Sequence, residues 1–211
     1  MKKKIIIGSF VAVGLVLLVV LCVFLIKPNN VDPANPNPTE ETLPTSGDFT
    51  MPIAPEPANP SELLQESFVV AKETLGEQYY PSVAMESSEI AEMLKLEFED
   101  YVFLYGQKAQ DETKFDMLIS IKTMNDESGT KVENLLFDYI NSVIADENNP
   151  EYIRNAFKGA TVLRDTWGYV FLIATFGDVD KMTDKSATEI TTYAETNCMK
   201  VADAIYGRVH E

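Results

Sequence analysis

The amino-acid sequence predicts an α+β domain: an antiparallel sheet of about four strands with helices packed on it, preceded by one transmembrane helix and a proline-rich linker. Three observations predict this layout. The chain has a long uncharged run near its start, then a stretch rich in proline, then helical and strand patterns in the order ααββααββα. Strand pairs joined by helices are typical of an antiparallel sheet that is covered by helices.

The uncharged run occupies residues 5–26 and reads IIIGSFVAVGLVLLVVLCVFLI. At about 1.5 Å per residue, a helix of this length crosses the hydrocarbon of a bilayer. Lys2, Lys3 and Lys4 precede it, so residues 1–4 are expected in the cytoplasm and the rest outside the cell. The segment is predicted to be an uncleaved signal anchor of a single-pass cell-membrane protein.

Two other interpretations of this run are weaker. A cleaved signal peptide has a shorter apolar run with small residues at its end, whereas this run ends in Phe24, Leu25 and Ile26. A lipoprotein needs a small residue just before its lipidated cysteine, whereas Cys22 follows Leu21. Cys22 is therefore predicted to be a packing or lipid-facing residue, with palmitoylation as the alternative.

Residues 27–60 are predicted to form an extracellular linker. Nine of the eleven prolines of the protein lie between Pro28 and Pro60. Such a composition does not build a packed core and favours an extended, polyproline-like chain. The linker would hold the following domain away from the membrane.

The acidic domain, residues 61–211, is predicted to begin with a capped helix. Asn59 is the expected cap, Pro60 the first helical residue and Glu62 the third, and Gly76 would end the helix.

A second helix and a β-hairpin are predicted to follow. The helix would start at Ser87 or Ser88 and run to Leu96. The strands would be Phe98–Tyr105, which is aromatic and β-branched, and Phe115–Thr123, in which large apolar residues alternate.

The longest helix is predicted to open at a capping box formed by Thr130 and Glu133. Its apolar residues recur at the helical spacing, which indicates one buried stripe. They are Val132, Leu135, Leu136, Tyr139, Ile140, Val143 and Ile144. A short helix that starts at Asn149–Glu151 and ends at Gly159 is expected next.

A second strand pair and a final helix complete the predicted domain. The strands are Ala160–Asp165 and Tyr169–Phe176, with a turn at 166–168. The second of these is apolar throughout, so it should be buried on both faces. Another capping box, Ser186–Glu189, should open the last helix, which would run to about Tyr206.

Charge restricts the partners of this domain. Of 17 basic residues, four precede Pro28 and no acid does, so the rest of the chain holds 13 basic and 33 acidic residues, a net of −20. A field of this sign repels phosphate groups, so nucleic acid and anionic lipid are not expected partners. Cations, basic proteins and basic polymers fit better, although the charge also serves simply to keep the domain soluble.

Three features in order resemble an uncharacterised family of bacterial envelope proteins, catalogued as domain of unknown function 4358. They are the strand Phe115–Lys122 before a long capped helix, the run Asn149–Tyr152 after that helix, and Gly168–Leu172 followed by Gly177. The similar region spans about 85–178. It implies an envelope location and a fold pattern, but no activity and no functional residues. Members are often lipid-anchored, which the surroundings of Cys22 do not support.

The sequence offers little for catalysis or for a cofactor. The only histidine is His210, next to the C-terminal residue, and the two cysteines, Cys22 and Cys198, lie far apart. We therefore expect no His-dependent triad, no zinc site, no disulfide and no cofactor. Cys198 is predicted to be a small buried residue.

Two groups of residues are candidate contacts. The carboxylates of Asp178, Asp180 and Asp184 lie close in sequence after a buried strand, and calcium takes such oxygen ligands. The loop lacks the order of an EF-hand, so a solvated turn is the favoured interpretation and no metal site is predicted. Three aromatic residues, Tyr79, Tyr80 and Trp167, are predicted to lie in loops. They are suited either to contact a partner or to cover the edge of the core.

The sequence thus predicts a surface-displayed, non-catalytic binding or structural module of the cell envelope. Its partner would be an envelope protein or a cell-wall polymer, and it would meet the membrane through its N-terminal helix. The alternative is a carboxylate-based enzyme that acts on cell-wall glycan, since paired carboxylates hydrolyse glycosidic bonds.

Overall fold

The computed structural model describes residues 56–111 and 113–210, all of which lie in the unit Pro52–Glu211. The predicted signal anchor, Cys22 and the linker up to residue 55 lie outside the described residues. Among residues 56–210, no helix is long and apolar enough to cross a membrane.

Five antiparallel strands form one sheet in the order β1-β2-β3-β5-β4, which confirms the predicted α+β class. The strands are β1 (Pro81–Ala84), β2 (Tyr101–Ala109), β3 (Met117–Thr123), β4 (Thr161–Arg164) and β5 (Tyr169–Ala174). The prediction of about four strands was wrong by one, because β1 was missed. It is a four-residue edge strand that begins with proline, a position where the missing N–H costs no ladder bond.

Five α-helices flank the sheet. They are α1 (Pro60–Leu75), α2 (Ser87–Leu94), α3 (Asp126–Ala145), α4 (Glu151–Phe157) and α5 (Ala187–Val209). Short 3₁₀ turns occupy Gly76–Gln78, Phe98–Asp100 and Val179–Met182.

Helices cover both faces of the sheet. On one face, Ser67 of α1 forms a 2.7 Å hydrogen bond with Ser120 of β3. On the other face, Ile90 of α2 lies against Gly106 of β2, the residue that pairs with Ile119 of β3. Because Ser120 and Ile119 are neighbours in one strand, α1 and α2 lie on opposite faces. Helix α5 packs beside α1, and α3 lies on the α2 side.

The predicted caps are confirmed at two helices and wrong at a third. The Asn59 side chain accepts from Glu62 N at the start of α1, and Ser186 and Glu189 form a capping box at α5. Helix α3 begins four residues before the predicted Thr130, because the Asn125 side chain accepts from the N–H of Ser128 and caps the chain earlier.

The core lies on both faces of β3 and β5. All six residues of β5 are buried, as predicted from its unbroken apolar run. Leu118, Ile119 and Ile121 of β3 are fully buried as well. Cys198 of α5 is buried as predicted. A sheet that is filled on both sides can meet solvent only at the ends of these strands, where the polar side chains collect.

Candidate functional site

Polar and aromatic side chains gather at the two ends of the β3–β5 pair. We call the set Tyr80, Lys114, Asp116, Asp178 and Asp180 the Lys114 cluster. It lies where β3 begins and β5 ends, since these strands are antiparallel. Three separate connections supply its members: the one before β1, the one between β2 and β3, and the one between β5 and α5.

Lys114 is the centre of this cluster. Its Nζ forms an ion pair with Asp180, lies 3.7 Å from Asp178 Oδ1 and lies 3.9 Å from the centroid of the Tyr80 ring. The side chain is only 7% exposed. Burial acts to lower the pKa of Lys114, but the hydrogen bond and charge of Asp180 outweigh it, so the pKa is raised and the lysine stays charged.

Asp178 has three partners. Its Oδ1 accepts from the Tyr80 hydroxyl and lies 3.0 Å from Lys181 Nζ, in addition to the contact with Lys114. The Tyr80 hydrogen bond holds the pKa of Asp178 below its usual range, and the same bond raises the pKa of Tyr80. The Asp178 carboxylate thus links its own connection to those that carry Tyr80 and Lys114.

Asp116, the residue before β3, is 1% exposed. Its Oδ1 accepts from the backbone N–H of Gly177 at 3.0 Å, while its Oδ2 has no hydrogen-bond partner among the described residues. Burial raises the pKa of Asp116 to about 7, although the backbone groups of Gly177 and Phe176 and the charge of Lys114 act to lower it. This carboxyl therefore exchanges its proton near neutral pH.

The calcium candidates are arranged around a lysine. Asp178 and Asp180 both contact Lys114, whose charge occupies the place that a cation would take. Asp184 instead pairs with Lys185 at 3.2 Å. Within the part of the chain that the structure describes, no group of three His, Cys, Asp or Glu side chains is placed to hold a metal ion.

The opposite end of the β3–β5 pair holds a second set, which we call the Lys122 cluster: Glu56, Lys122, Asp165, Trp167 and Tyr169. Lys122 Nζ donates to the Trp167 carbonyl, lies 2.8 Å from Glu56 Oε1 and sits 4.9 Å from the Tyr169 ring centroid. Asp165 Oδ1 accepts from the N–H groups of Trp167 and Tyr169, which shapes the β4–β5 turn. Burial raises the pKa of Asp165.

An aromatic stack borders the Lys122 cluster. The His210 ring lies 4.7 Å from the Trp167 ring and 4.2 Å from the Tyr206 ring. Tyr206 is 51% exposed and His210 is exposed too, so the stack meets solvent along one side. We call Trp167, Tyr206 and His210 the ring stack.

The predicted aromatic contacts fall into two groups. Tyr79, Tyr80 and Trp167 are all half-buried. The hydroxyl of Tyr79 donates to Gln107 at 3.2 Å and that of Tyr80 to Asp178, so both belong to the internal bonding of the fold. Trp167 instead belongs to the ring stack. Of the three predicted contact residues, it is the one whose aromatic neighbours are exposed to solvent.

Sequence reasoning missed the four polar residues that define the two clusters: Lys114, Asp116, Lys122 and Asp165. One signal was available, because charged residues flank β3 and β5 where buried strands meet their connections. The pairing of strand ends that brings them together depends on the sheet order, which composition and periodicity do not specify.

A groove of about 540 Å³ runs beside the Lys114 cluster, and Asp111 and Asp116 both contribute to its lining. Along the strand, however, Asp116 alternates with Met117, which lines the same groove, so its carboxyl points to the other face, where Gly177 binds it. Asp111 is exposed, and its carboxylate accepts from Thr113. The two carboxyls therefore do not face each other across the groove.

Comparison with known proteins adds no assignment. No family model matches the chain, and no curated protein or solved structure matches it either. The similarity to domain of unknown function 4358 stays a prediction from the sequence.

Proposed function

We propose that this chain is a membrane-anchored, surface-displayed module of the bacterial cell envelope, whose acidic domain binds a partner and does not catalyse a reaction. The uncharged run at residues 5–26 and the proline-rich segment after it support the anchored topology. The domain supports a non-catalytic role, since its most buried ionisable groups join elements of the fold. Lys114 and Asp116 are the clearest examples.

The observation that carries the proposal is the ring stack. Trp167, His210 and Tyr206 offer solvent a set of adjoining aromatic rings on a turn and a helix end. Aromatic rings supply large contact area at little cost in conformational entropy, and they are enriched where proteins bind partners. The net charge of −20 after Lys27 disfavours anionic polymers and leaves basic and uncharged ones. An uncharged cell-wall glycan suits the ring stack, whose surface is aromatic and not acidic.

The test is retention on purified, protein-free cell wall. The full chain in neutral detergent should bind the wall, and Trp167→Ala combined with Tyr206→Ala should lower retention about tenfold or more, as expected when aromatic anchors are lost. Phe98→Ala is the matched control, because Phe98 is 83% exposed and lies outside the ring stack. Equal retention of the double variant and the wild type would refute the role of the stack. Binding to envelope protein extract but not to wall would assign a protein partner.

The second candidate is a carboxylate-based enzyme acting on cell-wall glycan, and it is favoured less because the two carboxyls that line its groove do not face each other. Burial raises the pKa of Asp116 to about 7, whereas hydrogen bonds from Thr113 lower the pKa of Asp111, and both residues line one groove. Divergent pKa values are what an acid and base pair requires. Release of reducing ends from wall glycan, lost in both Asp111→Asn and Asp116→Asn but kept in Asp184→Asn, would establish this enzyme in place of the module.

A further inference from the structure

The Asp116 carboxyl connects two segments that are distant in sequence. It accepts from the N–H of Gly177, the first residue that turns away from β5 towards α5. Gly177 has a φ of +71°, and a β-carbon there would lie 2.9 Å from Asn197 Nδ2 and 3.3 Å from the Tyr193 hydroxyl. Asn197 in turn donates to the carbonyl of Phe176 at 3.1 Å. The chain is thus held in one conformation at this point, with the Asp116 carboxyl on one side and α5 on the other.

Ionisable groups approach Asp116 from every element packed around it. Lys114 lies two residues earlier in the chain, and Asp180 belongs to the 3₁₀ turn after Gly177. Tyr79 lies before β1, and Cys198 belongs to α5. The charge of Asp116 contributes to raising the pKa of both of these groups, after burial as the main cause. Lys114 is the cation of this set, and Asp178 and Asp180 already engage it.

A neutral carboxyl suits this site better than a carboxylate. One oxygen has the Gly177 amide as donor, and the second has no described partner to stabilise a negative charge. An ionised Asp116 would add a negative charge near Asp180, and Lys114, the cation closest to it in the chain, already pairs with Asp180 and Asp178.

We propose that Asp116 is a proton-operated latch: while it carries a proton it holds the segment Gly177–Met182 against the start of β3, and when the proton passes to solvent the segment is released. Deprotonation breaks the O–H bond of the carboxyl and passes the proton to water, so the step needs no other co-reactant. Opening of Gly177–Met182 would move Asp178 and Asp180 away from Lys114 and uncover Tyr80 and Tyr79. The latch is independent of glycan binding at the ring stack.

The direction of the effect follows from linkage. The pKa of Asp116 is about 7 in the closed state and near 3.8 for the same group in water, so the closed state binds the proton more tightly. Raising the pH through about 7 therefore favours opening. The equilibrium constant for opening should rise by up to about tenfold per pH unit as the pH approaches that value from below, and it should level off above it, where Asp116 is ionised in both states.

Amide hydrogen exchange of the full chain in neutral detergent tests the latch. After correction for intrinsic exchange, protection of Gly177–Met182 should fall several-fold between about pH 6 and about pH 8, while β5 itself stays protected. Asp116→Asn keeps an oxygen for the Gly177 amide but cannot ionise, so protection should no longer depend on pH in this range. Asp165→Asn, at the opposite end of β5, is the matched control and should behave like the wild type.

Two results would overturn the latch. One is equal protection of Gly177–Met182 in the wild type at both pH values, and the other is an unchanged pH dependence in Asp116→Asn. If Asp116→Asn does not fold, the wild-type amide resonance of Gly177 decides. It should titrate with a midpoint near neutral pH, and a midpoint below about 5 would show an ordinary carboxyl and end the proposal.

Discussion

The two ends of the β3–β5 pair are built from the same kinds of residue and behave differently. Each end has a lysine over a tyrosine ring, at 3.9 Å for Lys114 and 4.9 Å for Lys122. Each also has an aspartate with a raised pKa, the buried Asp116 or the half-buried Asp165. At the Lys114 end the lysine meets two carboxylates and the cluster is closed. At the Lys122 end it meets one, and an aromatic surface lies open beside it.

The difference indicates why the polar residues at one strand end connect parts of the fold, whereas those at the other end border an exposed surface. Lys114 forms ion pairs with Asp178 and Asp180 in the connection after β5, and it packs on the ring of Tyr80 in the connection before β1. It therefore ties both connections to the start of β3. Lys122 binds a backbone carbonyl and the carboxylate of Glu56, whose side chain is 45% exposed. The number of charged partners, and not the lysine itself, distinguishes the first end from the second.

The largest expected effect is a difference between Asp116 and Asp165 in how stability depends on pH. The pKa of Asp116 is raised from 3.8 to about 7 on folding, so its contribution to stability is present below about pH 4 and is lost as the pH rises through 7. The loss amounts to about 4 kcal/mol, at roughly 1.4 kcal/mol per pKa unit. The difference in unfolding free energy between wild type and Asp116→Asn, from urea titrations at several pH values, should show this slope.

Asp165→Asn is the comparison for that experiment. Its Oδ1 can still accept from Trp167 and Tyr169, and the pKa of Asp165 is raised in the same direction but is not shifted as far. Its pH slope should therefore be clearly smaller. Equal slopes for the two variants would remove the distinction between the ends.

The sequence predicted the elements better than it predicted how they meet. The unbroken apolar run of β5 and the caps at Asn59 and Ser186 are local signals, and the structure confirms them. β1 was missed because four residues starting with proline carry no periodicity. The start of α3 was wrong because two good caps compete within a few residues, and Asn125 comes first.

The candidate site was largely beyond the sequence. Trp167 was identified, but its stacking partner His210 was considered only as the single histidine and not as a contact residue. Asp178 and Asp180 were recognised as neighbours, but Lys114, which lies between them in space, is more than sixty residues away in the chain. Contacts between strand ends depend on sheet order, and sheet order is a property of the whole fold.

The next largest effect should come from removing each lysine. Lys114→Met leaves Asp178 and Asp180 beside one another without their shared cation, which should cost about 2–3 kcal/mol; the two carboxylates are partly exposed, so the full cost of a broken buried pair is not reached. Lys122→Met loses one half-exposed ion pair and a hydrogen bond, so about 1 kcal/mol is expected. Urea unfolding near pH 6 measures both.

Lys108→Met controls for the general loss of a positive charge. Lys108 pairs with Glu89, and both side chains are 44% exposed, so the change should stay within about 0.5 kcal/mol. If Lys122→Met destabilises the domain as much as Lys114→Met does, the number of charged partners is not what distinguishes the two ends.

Two glycines allow the same comparison in the backbone. Gly177 and Gly168 have φ of +71° and +81°, and a β-carbon would lie 2.9 Å from Asn197 Nδ2 at the first and 2.7 Å from Thr123 Oγ1 at the second. Alanine at either position should cost about 2 kcal/mol in thermal or urea unfolding.

Gly207→Ala is the control for these glycine substitutions. Gly207 lies in α5 with nothing within 4 Å of an added β-carbon, so alanine should stabilise the domain by about 0.5–1 kcal/mol. A loss of stability in Gly207→Ala as large as in Gly177→Ala or Gly168→Ala would indicate that the cost is not specific to a positive φ or to a close contact of the β-carbon.

The smallest effect concerns the two tyrosines under the lysines, and here the signs should differ. The Tyr80 hydroxyl donates to Asp178, so Tyr80→Phe should cost about 1 kcal/mol or slightly less at this half-exposed position.

The Tyr169 hydroxyl is buried, and among the described residues it has no hydrogen-bond partner. Its pKa is raised to about 12, first by burial and then by the charges of Glu56 and Asp165. Tyr169→Phe removes a polar group that folding strips of water without compensation, so it should be neutral or stabilise the domain by up to about 1 kcal/mol. Both rings survive the substitution, so the contacts of Lys114 and Lys122 with them are kept and the hydroxyl alone is compared. A loss of 1 kcal/mol or more in Tyr169→Phe would mean that its hydroxyl is satisfied in solution, and that the Lys122 end is as fully bonded as the Lys114 end.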